Sequence, residues 1–220
     1  MAIKAVIFDL DGLLTDTETL HYQSYLSVFG PLGVTITEYD YADHWIRQGK
    51  GIDDFITLRK LKLSSDLIRE QKIAAYLELL KSELKPMPGA VALLDRLRES
   101  KRIALASSAY RVSVDNVLST LQLGDRFEVV VCGDEVTHKK PHPEIFTTTA
   151  ARLKVPPDQC VVLEDAEKGI LAAKAAGMHC IAVPNRFTHE NDFSSASLVV
   201  ASLDDITLDT IDRLAMKEPE

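Results

Sequence analysis

Residues 6–18 read VIFDLDGLLTDTE. Three apolar residues, Val6, Ile7 and Phe8, run straight into Asp9 and Asp11, and Gly12 follows at once. An apolar run without alternation is the pattern of a strand buried on both faces, as in a parallel sheet. Carboxylates at the end of such a strand are costly unless a cation or hydrogen-bond donors meet them. Asp–Gly is also a common turn, so taken alone the stretch fits a polar strand end with no chemistry.

Five further runs have the length of strands: IALA at 103–106, VVV at 129–131, VVL at 161–163, CIAV at 180–183 and LVV at 198–200. Between them lie helical patterns, PGAVALLDRLRES at 88–100, RVSVDNVLSTLQLG at 111–124, PEIFTTTAARLKV at 143–155 and AEKGILAAKAAG at 166–177, with Gly177 a C-cap candidate. The alternation predicts an α/β fold with a doubly wound, mostly parallel, Rossmann-like sheet. The first strand breaks this rhythm. TLHYQSYLSVFG (19–30), DDFITLRKLKL (53–63) and SDLIREQKIAAYLELLKSEL (65–84) read as helices, the last opening on a Ser–Asp cap signal, and KPMPG at 85–89 reads as a hinge. The expected organisation is therefore a catalytic core of residues 1–16 and 85–220 with an α-helical cap domain, 17–84, inserted after the first strand.

The chain has 220 residues, 46% of them hydrophobic and 26% charged, ordinary globular usage. A net charge of −8 argues against a nucleic-acid or anionic-membrane partner. The N-terminus MAIKAVIF reads as a strand rather than a targeting segment, and no apolar run is long enough to span a bilayer. Cys132, Cys160 and Cys180 are too few and scattered for a disulfide framework and suit a reducing compartment. The expectation is a soluble cytoplasmic monomer.

In an open α/β sheet, ligands bind outside the carboxyl ends of the strands. Strand one ends in Asp9 and Asp11, the IALA run in Ser107 and Ser108, and the VVL run in Glu164 and Asp165; the VVV run leads through GDEVTHKKPHPE to Lys139 and Lys140. Four carboxylates in one crevice need a cation. All-oxygen donors suit a hard divalent ion such as Mg²⁺, and hydroxyls with a lysine suit the oxygens of a phosphoryl group. Each residue has a plainer reading too. The serines fit a helix N-cap, the lysines a solvated loop, and Glu164 with Asp165 the dipole of the following helix.

With these residues in order, the sequence resembles the haloacid dehalogenase superfamily, in the branch with a helical cap after the first strand. DLDG, ALASS, KKPHPEIF and VVLEDAEKGILAAKAAG match its four motifs, and the subgroup resembled is that of β-phosphoglucomutase-like enzymes and sugar-phosphate phosphatases. The resemblance implies an Mg²⁺-dependent phosphatase acting on a small phosphorylated metabolite through an aspartyl-phosphate. It implies Asp9 as nucleophile and metal ligand, and Asp11 as general acid and base whose carbonyl also binds metal. Asp165 becomes a metal ligand, Glu164 a ligand or its orienter, and Ser107, the amide of Ser108 and Lys140 the phosphoryl holders. Asp11 disfavours dehalogenation, which needs no proton for its leaving group. His21 and Lys72 match cap-side substrate contacts, although alone each reads as a packed histidine and a solvated lysine. The mutase pattern has an arginine shortly after a cap glycine; here the glycine is Gly49, that position is Ile52, and Arg47 and Lys50 are near but unaligned. A phosphomutase and a non-catalytic regulatory binding module remain as alternatives. Cys132, His138 and His142 invite a zinc reading that lacks a fourth ligand, and GKG at 49–51 has no third glycine and follows no strand, so it is no dinucleotide fingerprint.

Overall fold

The six apolar runs become six strands of one sheet, in the order β3-β2-β1-β4-β5-β6 with every pairing parallel. They are β1 (Ala5–Phe8), β2 (Arg102–Ser107), β3 (Val129–Cys132), β4 (Cys160–Glu164), β5 (His179–Ala182) and β6 (Leu198–Val199). The structure, a computed structural model, describes residues 2–215. β1 lies between β2 and β4, where the strand order reverses, which in this architecture is where the crevice opens.

Successive residues of β1 feed opposite faces. Val6 and Phe8 pack with Leu105, Val161 and Leu163 against α5 (Ala90–Leu97), α6 (Arg111–Leu121) and α9 (Leu208–Leu214). Ala5 and Ile7 pack with Ala104, Ala106 and Val162 against α7 (Glu144–Leu153) and α8 (Glu167–Ala175). Helices on both faces explain why no strand shows polar alternation. The burial of a side chain such as Phe8 or Leu97 stabilises the fold by about 1.5–3 kcal/mol. Gly177 has the left-handed φ expected of a residue just beyond a helix.

Residues 17–84 contribute α1 (Thr17–Phe29), α2 (Glu38–Tyr41), a π-helical turn (Ala42–Arg47), α3 (Ile52–Leu58) and α4 (Ser65–Glu83). α1 packs along α4, and Tyr25, Phe29, Tyr41, Phe55 and Ile68 build a separate hydrophobic cluster. The two crossings from the sheet lie side by side. Met87 N–H donates to the Leu14 carbonyl at 2.9 Å, and Asp16 N–H to the Lys85 carbonyl at 3.1 Å. Two sequence expectations shift here. The helix expected over 53–63 stops at Leu58, and the chain turns through a left-handed Lys60. The cap of α4 is Ser64, whose Oγ accepts from Leu67 N–H at 3.4 Å, one residue before the expected pair. α9 was not anticipated from the sequence. Among the described residues no helix is long and apolar enough to cross a membrane.

Candidate active site

Asp9 is the first residue beyond β1, and its N–H donates to the Leu163 carbonyl at 3.0 Å, so the backbone of β4 pins it. Ser107 ends β2 fully buried, Glu164 ends β4, and Asp165 comes directly after it. Lys140 comes in from the loop between β3 and α7. Its Nζ donates to Asp9 Oδ1 at 2.5 Å, Glu164 Oε1 at 2.7 Å and the Ala106 carbonyl at 3.1 Å, using all three ammonium protons. The sheet thus gathers the expected strand-end residues. Ser108 follows Ser107 directly, exposed on the turn after β2.

Both oxygens of Glu164 are hydrogen-bonded. One oxygen takes Lys140, and the other accepts from Asp165 N–H at 3.0 Å and Ala166 N–H at 3.1 Å. Its carboxylate seats Lys140 and the start of α8, and lies beside Asp9 and Asp165. Gly169 makes room for it, since a Cβ there would collide with the Glu164 carboxylate.

Asp11 is held on both oxygens, by Thr17 Oγ1 at 2.6 Å and Ser107 Oγ at 3.3 Å. Asp165 Oδ2 accepts from Asn185 Nδ2 at 2.8 Å, and the same amide donates to the Gly12 carbonyl at 3.0 Å. Gly12 needs to be glycine: its φ is +82°, and a Cβ would lie 2.6 Å from Asp165 Oδ2. Thr17 and Asn185 were missed in the sequence. Asn185 lies just past the CIAV run, so the rule of inspecting strand ends, applied once more, reaches it.

On the helical side, Lys72 Nζ donates to His21 Nδ1 at 2.7 Å, and His21 stacks on Tyr76 at 4.0 Å between ring centres. Leu10, Asp11, His21, Tyr76, Ala109, Ser113 and Val117 line a cavity of about 80 Å³. His21 thus shares a cavity with Asp11. Burial, then the Lys72 charge, holds the His21 imidazole neutral, well below its usual pKa. Burial lowers Lys72 to about 8 against the pull of Glu18. Arg47 pairs on the surface with Asp43 and Glu190, Lys50 is exposed, and Ile52 is buried in the helical cluster.

A family model of haloacid dehalogenase-like hydrolases matches residues 6–183. The chain belongs to this family. It is 31% identical to protein CbbY of Rhodobacter capsulatus, over 92% of this chain and 95% of that one. To hexitol phosphatase B of Escherichia coli (strain K12) it is 33% identical, over 93% and 95%. A crystal structure of CbbY from Rhodobacter sphaeroides in complex with xylulose-(1,5)bisphosphate superposes with a TM-score of 0.79 at 29% identity, covering 96% of this chain and 99% of that one. The expectation of a phosphoric monoester hydrolase of the haloacid dehalogenase family is met by these relatives.

In this haloacid dehalogenase-like site, Asp9, Asp11, Glu164 and Asp165 share a crevice in which, among the described residues, Lys140 is the cation that pairs with them. Burial pushes the Asp9 carboxyl up to about 8, against the opposing pull of Lys140, and raises Asp11 and Asp165 as well. Burial would lower Lys140, but the charges of Asp9 and Glu164 outweigh it and hold the ammonium above the usual lysine range. The crevice is short of positive charge. Asp9, Glu164 and Asp165 offer oxygen atoms all within 4.8 Å of one another, a hard donor set that fits a divalent cation. The zinc reading changes composition: His138 and His142 group with Glu144 at the surface, while Cys132 is buried at the end of β3. All three cysteines are free thiols.

Proposed function

We propose that this protein is an Mg²⁺-dependent phosphatase that hydrolyses a small phosphorylated metabolite, a sugar phosphate, through an aspartyl-phosphate on Asp9. The observation that carries the reading is Lys140 held at 2.5 Å from Asp9 with Asp11 two residues away at the edge of a cavity. An Asp9 oxygen attacks phosphorus, the ester P–O bond breaks, and the leaving oxygen takes a proton from Asp11. Water then attacks phosphorus and gives its proton back to Asp11. The Asp9–phosphorus bond breaks, and inorganic phosphate leaves. Lys140, held on Asp9, Glu164 and the Ala106 carbonyl, supplies fixed positive charge beside the equatorial oxygens while charge builds on them, and the Ser107 hydroxyl turns from Asp11 to donate to one of them. Burial raises the pKa of Asp11, the direction an acid that must arrive protonated requires. Asp9 and Asp165, with the Asp11 carbonyl, would hold Mg²⁺, which supplies charge neutralisation between two anions.

Residues 17–84 act as the cap that covers the cavity, with His21 and Lys72 reading the leaving group. The substrate class follows from relatives whose names concern phosphorylated hexitols or whose structure holds a sugar bisphosphate. The phosphomutase reading loses ground at Ile52, a buried apolar residue where that reaction needs an arginine. Release of inorganic phosphate from a panel of sugar phosphates, with and without chelator, tests the proposal. Turnover unaffected by chelator, or isomer formation that needs a bisphosphate activator, overturns it.

Lys72 adds a pH dependence. Its ammonium is charged below about 8 and neutral above, so its attraction for an anionic substrate is present at low pH and lost as pH rises through that value. kcat/KM should therefore fall above about pH 8, since it reports the free enzyme. Lys72→Arg, always charged, should remove that limb. An unchanged profile in the variant would detach Lys72 from substrate.

A further inference from the structure

The loop after β5 touches both the carboxylates and the cap. Its Asn185 amide donates to Asp165 Oδ2 and the Gly12 carbonyl, and Asn185 Oδ1 accepts from Phe187 N–H at 2.8 Å. Asn185 N–H donates to Thr188 Oγ1 at 3.0 Å, and Thr188 N–H returns to the Asn185 carbonyl at 3.1 Å. Residues 185–188 form one closed turn that has no free side-chain amide.

The same turn reaches across to the cap. Arg186 donates to Thr19 Oγ1 at 2.9 Å and Glu38 Oε1 at 3.1 Å. Phe187 is 3% exposed and belongs to the cluster of the cap, not to either cluster of the sheet. It meets Tyr41 edge-on at 5.2 Å and Tyr22 at 5.8 Å, and Tyr41 stacks on Trp45 at 5.6 Å. A continuous set of contacts therefore runs from Asp165 through Asn185, Phe187 and Tyr41 to Trp45. Any shift of Phe187 with the cap moves the amide that holds the Asn185 side chain.

We propose that Asn185 and Phe187 are a positioning couple: seating of the cap on Phe187 sets the Asn185 amide, which orients Asp165 for the divalent cation. This rests on reading Asp165 as a cation ligand and residues 17–84 as a cap. Groups that hold a ligating carboxylate commonly change metal affinity ten- to a hundredfold when removed. Coupling between two equilibria is reciprocal, so the cation seats the cap by the same factor as the seated cap tightens the cation.

Titration of the full chain with MgCl₂ alone, by calorimetry and by emission of Trp45, its single tryptophan, tests this without turnover. Phe187→Ala should weaken Mg²⁺ binding about tenfold, toward the effect of Asn185→Ala. Ile68→Ala, which opens the same buried cluster, should change it less than about twofold. Mg²⁺ should shift Trp45 emission in the wild type and leave it unmoved in Asn185→Ala. Should Phe187→Ala fail to fold, Phe187→Leu and exposed Arg186→Ala carry the test, each weakening binding by about two- to threefold. Wild-type affinity in the Phe187 variants, or equal losses in Ile68→Ala, overturns the coupling. Wild-type affinity in Asp165→Ala overturns the cation-ligand reading itself, and the coupling with it.

Discussion

Asp9→Asn should lower kcat by at least about ten-thousand-fold, because on the proposed mechanism it removes the nucleophile. The fold should tolerate it. The amide oxygen of the new side chain can still accept from Lys140, and Lys140 keeps Glu164 and the Ala106 carbonyl. The change also removes a carboxylate that burial holds far above its ordinary pKa. Without divalent cation the variant should therefore melt at or above the wild-type temperature, a stability gained where function is lost. Calorimetric melts beside phosphate release check both halves. Turnover within a hundredfold of wild type would exclude Asp9 as nucleophile. A much lower melting temperature would mean that the carboxylate's pairing with Lys140 outweighs its burial.

Much of this was legible in the sequence for one reason. A parallel sheet buries both faces of its strands, so each strand appears as a short apolar run, and the residues just past its carboxyl end face the crevice. That rule located Asp9, Asp11, Ser107, Glu164 and Asp165 at the carboxyl ends of three strands, β1, β2 and β4. It did not reveal that Glu164 turns both oxygens toward Lys140 and the α8 amides, since an acid beside an acid reads as two ligands. Nor did it reveal Thr17 or Asn185, whose roles lie in which oxygen they hold. Gly169 is equally silent: a helical glycine reads as a weakness, and only the approach of Glu164 explains it. On the helical side, the early end of α3 is set by the left-handed Lys60, where the side-chain periodicity continues unbroken past the backbone turn.

Lys140→Met should have the largest effect on stability. Breaking a buried ion pair from one side costs about 3–5 kcal/mol, because the partner charge stays behind without compensation. Here two partners stay behind, Asp9 and Glu164, both under a tenth exposed. Burial already favours the protonated form of Asp9, and removing its cation strengthens that preference. A group whose folded pKa is raised costs stability as pH climbs from its unfolded value toward its folded one. The loss should thus be smaller at pH 5 than at pH 8, by chemical denaturation at each pH. Adding Glu164→Gln separates stability from catalysis. A glutamine can point its oxygen at the Asp165 and Ala166 amides and its NH₂ toward the space Lys140 Nζ leaves, where Asp9 Oδ1 accepts. The double variant should recover a good part of the lost stability, a coupling measurable as a double-mutant cycle. It should recover no turnover, because the cation that the proposed mechanism sets beside the transferring phosphoryl group is still missing. Additive losses in the cycle would mean that Lys140 and Glu164 act independently, and restored turnover would assign phosphoryl stabilisation to some other group.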